Sequence, residues 1–283
     1  MVNRRLLTET ARTRTVAVRG PPPVETVTDD TSHAAPVLGR PLIRRDVVSS
    51  TMDELRALAR AGAPEGTTLV AEYQSAGRGR AGRGWQAPSG TSLLLSVLLR
   101  PHLAPSELTP LALLTAACVA DAVEAITGLQ SRIKWPNDLL IRDHKVCGIL
   151  ASVSAASSGP PVLILGVGLN VNIEAKDLPL GAASVSIELG RAVDRTKLLD
   201  ALLERLSAMY GSFLNRAFDA WWRRATERLA YVGERVVVED NGRALHGVLT
   251  GVAAGGELCL LGEDGRIRQI VAGELVRGPR IVP

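Results

Sequence analysis

The sequence predicts an α+β protein: a mixed β-sheet flanked by helices, followed by a small antiparallel barrel. Three observations carry this expectation. Up to about residue 230, short apolar runs bounded by turn residues are interleaved with longer stretches of helical periodicity. Beyond Val232 the texture changes to closely spaced short strands with hairpin turns. A chain of 283 residues with 46% apolar composition is also long enough for one large core and a small second unit.

Residues 1–36 carry scattered arginines and threonines, then Pro21-Pro22-Pro23 and Asp29-Asp30, without sustained periodicity. They are expected to be disordered or loosely attached. Arg4, Arg5, Arg12, Arg14 and Arg19, with Glu9 as the one acid among them, faintly resemble an organelle transit peptide. The arginine bias of a GC-rich genome accounts for them equally well and is preferred. No hydrophobic core of a secretory signal is present.

Order is expected from Val37, in a unit spanning residues 37–230. Ser49-Ser50-Thr51, followed by Asp53 and Glu54, reads as a helix start with capping hydroxyls and first-turn acids. Met52, Leu55 and Leu58 line one face, and Gly62 stops the helix. Thr67–Tyr73 and Thr91–Leu99 read as buried strands. Thr109-Pro110 opens a second helix, which runs to about Thr127 and ends at Gly128. Arg132–Trp135, Asp138–Ile141, Lys145–Ser154 and Val162–Val167 read as further strands. The stretch from Arg195 to about Leu229 supplies the last helices, with Leu198, Leu199, Leu202, Leu203 and Leu206 at helical spacing. Residues 231–283 form the second unit. Glu234–Glu239, Arg243–Val252, Glu257–Leu261 and Arg266–Val271 are separated by glycine turns, and roughly 50 residues is a common length for an SH3-like barrel.

The formal charge of +4 is modest and comes almost wholly from arginine, since Lys134, Lys145, Lys176 and Lys197 are the only lysines. A surface built for general nucleic-acid binding would be more basic and more clustered. No run approaches the ~20 apolar residues of a membrane helix. Cys118, Cys147 and Cys259 are odd in number and widely spaced, without a metal-ligand pattern, and are expected as reduced thiols in the cytoplasm.

The run Glu72–Trp85 is the most telling segment of the chain. It interleaves Gly77, Gly79, Gly82 and Gly84 with Arg78, Arg80 and Arg83. Glycines let a backbone curl round a ligand and turn its N–H groups inward. Arginines match phosphate and carboxylate oxygens with planar forks. The run has little to bury and joins two core strands, so an anion site is the expectation. An arginine-glycine RNA-binding arm is the bland alternative, but such arms are long, repetitive and terminal. A second cluster is Lys134-Trp135-Pro136-Asn137-Asp138, followed by Lys145-Val146-Cys147-Gly148-Ile149-Leu150. A solvated surface hairpin explains Lys145 beside a turn, but explains Trp-Pro-Asn-Asp poorly.

These two clusters, with Gly166-Val167-Gly168-Leu169-Asn170-Val171-Asn172, resemble the successive signatures of the biotin protein ligases (biotin–[acetyl-CoA-carboxylase] ligases) in order and spacing. The resemblance runs from about Asp46 to Val276. It implies a class II synthetase-like catalytic domain with the C-terminal barrel. It implies an ATP-dependent ligase that forms biotinoyl-5′-AMP and pyrophosphate, with Mg²⁺, and then transfers biotin to a lysine of a carboxyl-carrier domain.

By the same resemblance, Ser50, Thr51 and Gln74 match positions that bind the biotin ureido ring. Gly77, Arg78 and Arg80 match the loop that binds biotin and the adenylate. Lys145 matches the lysine held beside the biotin carboxylate and the α-phosphate, and Gly148 leaves room for the ligand. Arg83, Asn137 and Asn170 fall near the nucleotide, with Trp85 and Trp135 as candidate aromatic walls. Asp138 is the carboxylate for Mg²⁺ or for the proton of the incoming lysine, and the sequence does not choose between them. Lys145, Arg80 and Asp138 are the expected catalytic set.

The family usually has Ser-Thr-Asn where this chain has Ser50-Thr51-Met52, and Cys147 stands where alanine is common. A winged helix would need ~60 patterned residues before the catalytic unit. None is read here, so the expectation is a ligase without sequence-specific DNA binding. No membrane association is expected, and a homodimer paired through central sheets is possible. Relatives that attach lipoate have different loop signatures, and a non-catalytic sensor would be expected to lose Lys145 or the arginines.

Overall fold

The computed structural model describes residues 36–154, 160–240 and 242–277. The segment 1–36, expected to be disordered, lies outside them except for its last residue.

A seven-stranded mixed sheet organises the larger part of the chain. Its strands are β1 (Leu42–Val48), β2 (Thr68–Gln74), β3 (Ser92–Leu99), β4 (Arg132–Lys134), β5 (Asp138–Ile141), β6 (His144–Ser154) and β7 (Val162–Asn170). They lie in the order β1-β2-β3-β7-β6-β5-β4. β1 pairs with β2 in parallel, and every other pair is antiparallel.

The two faces of this sheet are divided by the period-2 alternation of strand side chains. On one face Leu93, Leu95, Val97 and Leu99 of β3 join Leu163, Leu165, Val167 and Leu169 of β7 in the main core. That core is closed by α2 (Leu111–Thr127) and α4 (Arg195–Leu214). α2 is apolar nearly all round, and with the short turn before it the helical stretch Pro105–Thr127 is long and apolar enough to cross a membrane, but here α2 is buried between the sheet and α4. On the opposite face α1 (Thr51–Arg60) packs Met52 and Leu55 against Leu69, Leu98 and Ile164. Further along that face, the alternate positions of β6 and β7 are Gly148, Gly166 and Gly168. The sheet is therefore bare there, and a cleft results.

The C-terminal strands β8 (Arg235–Asp240), β9 (Arg243–Val252), β10 (Leu258–Leu261), β11 (Ile267–Ile270) and β12 (Glu274–Arg277) form a second, antiparallel sheet in the order β11-β10-β9-β8-β12. Among the described residues β11 and β12 are its two edges and do not pair with each other. The pairing is that of an open five-stranded sheet, and a closed barrel is not seen. Val236, Val238, Leu249, Leu258, Leu260 and Leu275 belong to the same continuous core as α2 and Trp135. The two sheets thus share one interior.

Two strands went unread in the sequence. β1 carries Arg44, Arg45 and Asp46 in its middle and is an exposed edge, so it lacks the buried alternation that marks a strand. β12, as short as β10 and β11, lies beyond the last of the four runs read in this unit. Two short helices complete the fold: α3 (Val185–Leu189), capped by the Ser184 hydroxyl, and α5 (Asp219–Glu227).

Candidate active site

The bare face of the sheet becomes the floor of a cleft, and the Gly/Arg loop becomes its roof. After β2 the chain doubles back as a small flap. Trp85 N–H donates to Gly77 O (2.9 Å), Gly79 N–H donates to Arg83 O (2.7 Å), and Ala81 and Gly82 turn the tip with positive φ. Gly77 sits in the neck of the flap, not in the cleft wall. A Cβ there would lie 2.3 Å from Trp85 O, so only glycine lets the two legs close. Trp85 lies flat on the floor: a Cβ at Gly168 would be 2.5 Å from its ring, and one at Gly148 would be 2.9 Å away. The remaining cavity is about 140 Å³.

All three loop arginines are tied down. Arg78 pairs with Asp53 (2.8 Å), which also holds Arg56 (2.6 Å). Arg80 donates to Asn137 Oδ1 (3.2 Å) and Gly273 O (3.1 Å). Arg83 pairs with Glu274 (3.0 Å). Burial pulls the Arg80 guanidinium below its usual value, with Asp138 opposing and Arg83 adding to the shift. An arginine nevertheless stays charged. The hydrogen bond from Arg83 holds the Glu274 carboxyl below the ordinary glutamate range, against the effect of burial. The sign follows: the pair is intact at neutral pH, weakens as pH falls below the ordinary glutamate value, and is lost below the lowered one.

Lys145 projects into the cleft from the start of β6. Its Nζ lies 2.7 Å from Asp138 Oδ1 and 5.7 Å from the centre of the Trp85 ring. The contact with Asp138 is a close ion pair without hydrogen-bond alignment at Oδ1. At the other end of the cleft, Gln74 Oε1 accepts from Thr51 N–H (2.8 Å) and from Thr51 Oγ1 (3.0 Å). Ser50 sits at the N-cap position of α1, yet its hydroxyl caps nothing and is buried without a partner. The sequence expectation of a capping serine is corrected here. Burying a hydroxyl unpaired is costly, and this one lines the cleft.

Of the expected site residues, the structure brings Ser50, Thr51, Gln74, Arg78, Arg80, Arg83, Trp85, Asn137, Lys145 and Gly148 to this one cleft. Asp138 joins them through its pair with Lys145. Gly77 stands in the neck of the flap, and two others are placed elsewhere. Trp135 is only 2% exposed and donates its indole N–H to Gly256 O (2.9 Å), so it is a core residue that joins the two sheets. Asn170 is buried and donates to Ala183 O (3.1 Å), fixing the segment before α3. In this structure the Trp135 ring, expected as an aromatic wall, and Asn170, expected near the nucleotide, do not line the cleft.

Sequence reasoning missed roles for Asp53, Gly166, Gly168 and Glu274. The signal for the glycines was present, since small residues at alternate positions of a buried strand leave one face of a sheet bare. Asp53 was read as a first-turn acid only, and nothing local links Glu274 to a loop far away in sequence. Met52, the departure from the usual asparagine, packs on Gly166, where a Cβ would meet its sulfur at 2.9 Å. Cys147 is buried, and burial pushes its thiol well up, so it packs as a small apolar residue.

Among the described residues no group of three metal-binding side chains occurs. Mg²⁺ commonly uses one or two carboxylates and otherwise takes its ligands from substrate phosphates and water. Asp138 fits a metal carried in by a nucleotide, not one resident in a protein cage.

Comparison with known proteins agrees with this geometry. The profile of the Biotin/lipoate A/B protein ligase family matches residues 45–170, and that of the Biotin protein ligase C terminal domain matches residues 231–278. The biotin–[acetyl-CoA-carboxylase] ligase of Mycobacterium tuberculosis is 36% identical over 249 residues, covering 82% of this chain and 88% of that protein. The bifunctional ligase/repressor BirA of Bacillus spizizenii is 35% identical over 253 residues, covering 86% of this chain and 75% of that protein. The biotin protein ligase from Aquifex aeolicus in complex with biotin and ATP superposes with a TM-score of 0.72 at 31% identity, covering 83% of this chain and 97% of that one. The two profiles span the flap, the glycine floor and most of the C-terminal sheet, and the chain belongs to the biotin protein ligase family.

Proposed function

We infer that this chain is an ATP-dependent biotin protein ligase. It joins the biotin carboxylate to the α-phosphorus of ATP, releasing pyrophosphate. It then transfers the biotinoyl group to a lysine of a carboxyl-carrier domain, releasing AMP. The observation that carries this reading is the cleft itself, with a glycine floor, a roof of three arginines, Lys145 between them, and an orphaned hydroxyl beside an amide at the far end.

Each residue's part follows from its chemistry. A ureido ring offers two N–H donors and a carbonyl acceptor, which Ser50, Thr51 and Gln74 can complement. Two anions must meet in the first step, so positive charge is needed where they touch. Lys145, Arg78 and Arg80 supply it, and Lys145 gains in value as charge builds on the five-coordinate phosphorus. Arg83 and Asn137 face the same space and suit the nucleotide, and Trp85 offers it an aromatic surface. Small-molecule sites usually enclose ~300–1,000 Å³, well above the space now left, so Trp85 must lift from the floor to admit both substrates. Bound Mg²⁺ would neutralise phosphate charge, with Asp138 as its protein ligand. The alternative task for the same carboxylate is to take the proton released when the acceptor amine attacks.

The acceptor needs a way in. The outer edge of β6 beyond Ile149 carries no partner strand among the described residues, because β5 stops pairing at Gly148. Its exposed edge adjoins a groove of about 510 Å³ behind the flap, lined by Arg56, Arg78 and Ser152. We propose this edge as the docking line for the carrier domain, by strand addition; a second copy of the chain could use it as well. The free thiols Cys118, Cys147 and Cys259 suit the reducing cytoplasm, the compartment we propose.

The deciding assay is transfer of labelled biotin to a purified carboxyl-carrier domain with ATP and Mg²⁺. Transfer that requires ATP supports the reading. Biotin binding without transfer would make the protein a sensor, and no biotin binding would overturn the reading altogether. A finer test is Ser50→Ala. Because this hydroxyl caps nothing, thermal stability should not fall. Biotin affinity, read by calorimetry, should drop by about 0.5–1.5 kcal/mol, the net worth of one hydrogen bond. Unchanged affinity would remove Ser50 from the site.

A further inference from the structure

Lys145 faces the cleft because of an irregularity in its strand. The β5–β6 ladder shifts register between Leu139 and Leu140, so that Leu139 pairs with Cys147 and Leu140 with Lys145. Val146 is the extra residue, and Val146 and Cys147 both enter the main core as neighbours. That break in the alternation turns Lys145 to the same face as Gly148. Bulges near active sites re-aim side chains in this way, at the expense of local ladder hydrogen bonds. A residue beside a bulge therefore needs holding from elsewhere.

The structure provides that hold from α3. Lys145 N–H donates to Gly181 O (2.9 Å), and Lys145 C=O accepts from Ala183 N–H (2.9 Å). The segment 181–183 leads directly into α3, whose Glu188 reaches back to the same hairpin. One carboxylate oxygen lies 3.0 Å from His144 Nδ1, the residue before Lys145. The other lies 3.3 Å from Arg142 in the two-residue turn, where Arg142 and Asp143 both have positive φ. The Glu188 side chain is 5% exposed, while its two partners are mostly in water. A carboxylate is rarely buried unless it is paired.

We propose that Glu188 is a positioning residue for Lys145: by clamping both sides of the β5–β6 turn to α3, it fixes the bulged strand so that the ammonium stands at the reacting anions. This rests on the reading of Lys145 as the residue that promotes adenylate formation. The test is the rate of biotinoyl-5′-AMP formation in the full chain, measured in a single turnover at saturating biotin and ATP. Wild type, Glu188→Gln, Lys145→Ala and the double variant are compared. Misplacing a catalytic group by a fraction of its reach is expected to cost about ten-fold or more in rate. The biotin KM should change less than the rate, since Lys145 gains most of its value as charge builds on the five-coordinate phosphorus. In the Lys145→Ala background, Glu188→Gln should cost nothing further, because it acts only through that lysine.

A loss that adds fully to that of Lys145→Ala would overturn the proposal and leave Glu188 a structural residue. So would a Glu188→Gln rate equal to wild type. Should Glu188→Gln fail to fold, His144→Gln replaces it. That exposed change removes one arm of the clamp, and it should give a smaller rate loss, again silent in the Lys145→Ala background; no loss, or an additive one, overturns the proposal. An inactive wild type would instead remove the ligase reading, whereas a fully active Lys145→Ala would leave that reading standing and overturn the role of Lys145, and the proposal with it.

Discussion

Lys145→Ala is expected to slow biotinoyl-5′-AMP formation by about 10²–10³-fold, the range for removing one preorganised charge from a reacting oxyanion. Biotin-dependent exchange of labelled pyrophosphate into ATP reads this step directly. The fold should survive. The Lys145 side chain is 36% exposed and its partner Asp138 17%, so the pair is neither a free surface pair nor a fully buried one. Its loss leaves the carboxylate near Arg80, a charge that already acts on it. A stability cost of about 1 kcal/mol is expected from a pair of this kind. Loss of exchange in step with loss of the folded state would mean that the lysine had been assigned the wrong task.

Gly168→Val should have an effect of the same order by a different route. A first carbon at this position already lies 2.5 Å from the Trp85 ring, and 2.9 Å from two other atoms of it. Valine adds two methyl groups above the floor, so the indole is displaced and the space beneath the flap is filled. The strand itself tolerates valine, which is a good β residue. Biotin and ATP binding, followed by calorimetry, should therefore weaken by 2 kcal/mol or more, on the order of overpacking a close-packed site, while the melting temperature changes less. Normal binding with normal melting would show that Trp85 already lies elsewhere in solution and that the floor is not where ligand rests.

Most of the catalytic unit was legible in the sequence because β3 and β7 are buried along nearly their whole length and α2 is apolar over a long stretch. Thr67–Tyr73 and Thr91–Leu99 fall on β2 and β3, and Lys145–Ser154 differs from β6 by a single residue. The chemistry of the cleft was legible for another reason. Glycine alternating with arginine has no structural use, so its presence between two strands had to be explained by a ligand. Trp135 shows where this reasoning fails. Its place beside Asn137 and Asp138 made it look like part of the site, but Trp135 opens the turn that joins β4 to β5, where strand alternation gives no guide, and its ring points into the core. The contacts of Glu274 and Glu188 were beyond reach for the opposite reason. Both are glutamates in ordinary surroundings, and only the fold brings one to Arg83 and the other to the hairpin of Lys145.

The ion pairs around the cleft bear on how an anion enters it. Arg78 is matched by Asp53, Arg83 by Glu274 and Lys145 by Asp138, while Arg80 holds only neutral oxygens. With Arg56, which shares Asp53, five cations stand against three carboxylates, so most of the positive charge around the cleft is already matched. An incoming carboxylate or phosphate does not fall into a positive well; it trades places with carboxylates that the protein already holds there. Such an exchange leaves the number of close charge pairs almost constant and frees few small ions. Affinity should then depend only weakly on ionic strength, in contrast to a basic arm that gains its binding energy from the release of counterions. Selectivity gains from the same arrangement. A stray anion that cannot replace several carboxylates at once has little advantage over the ones in residence.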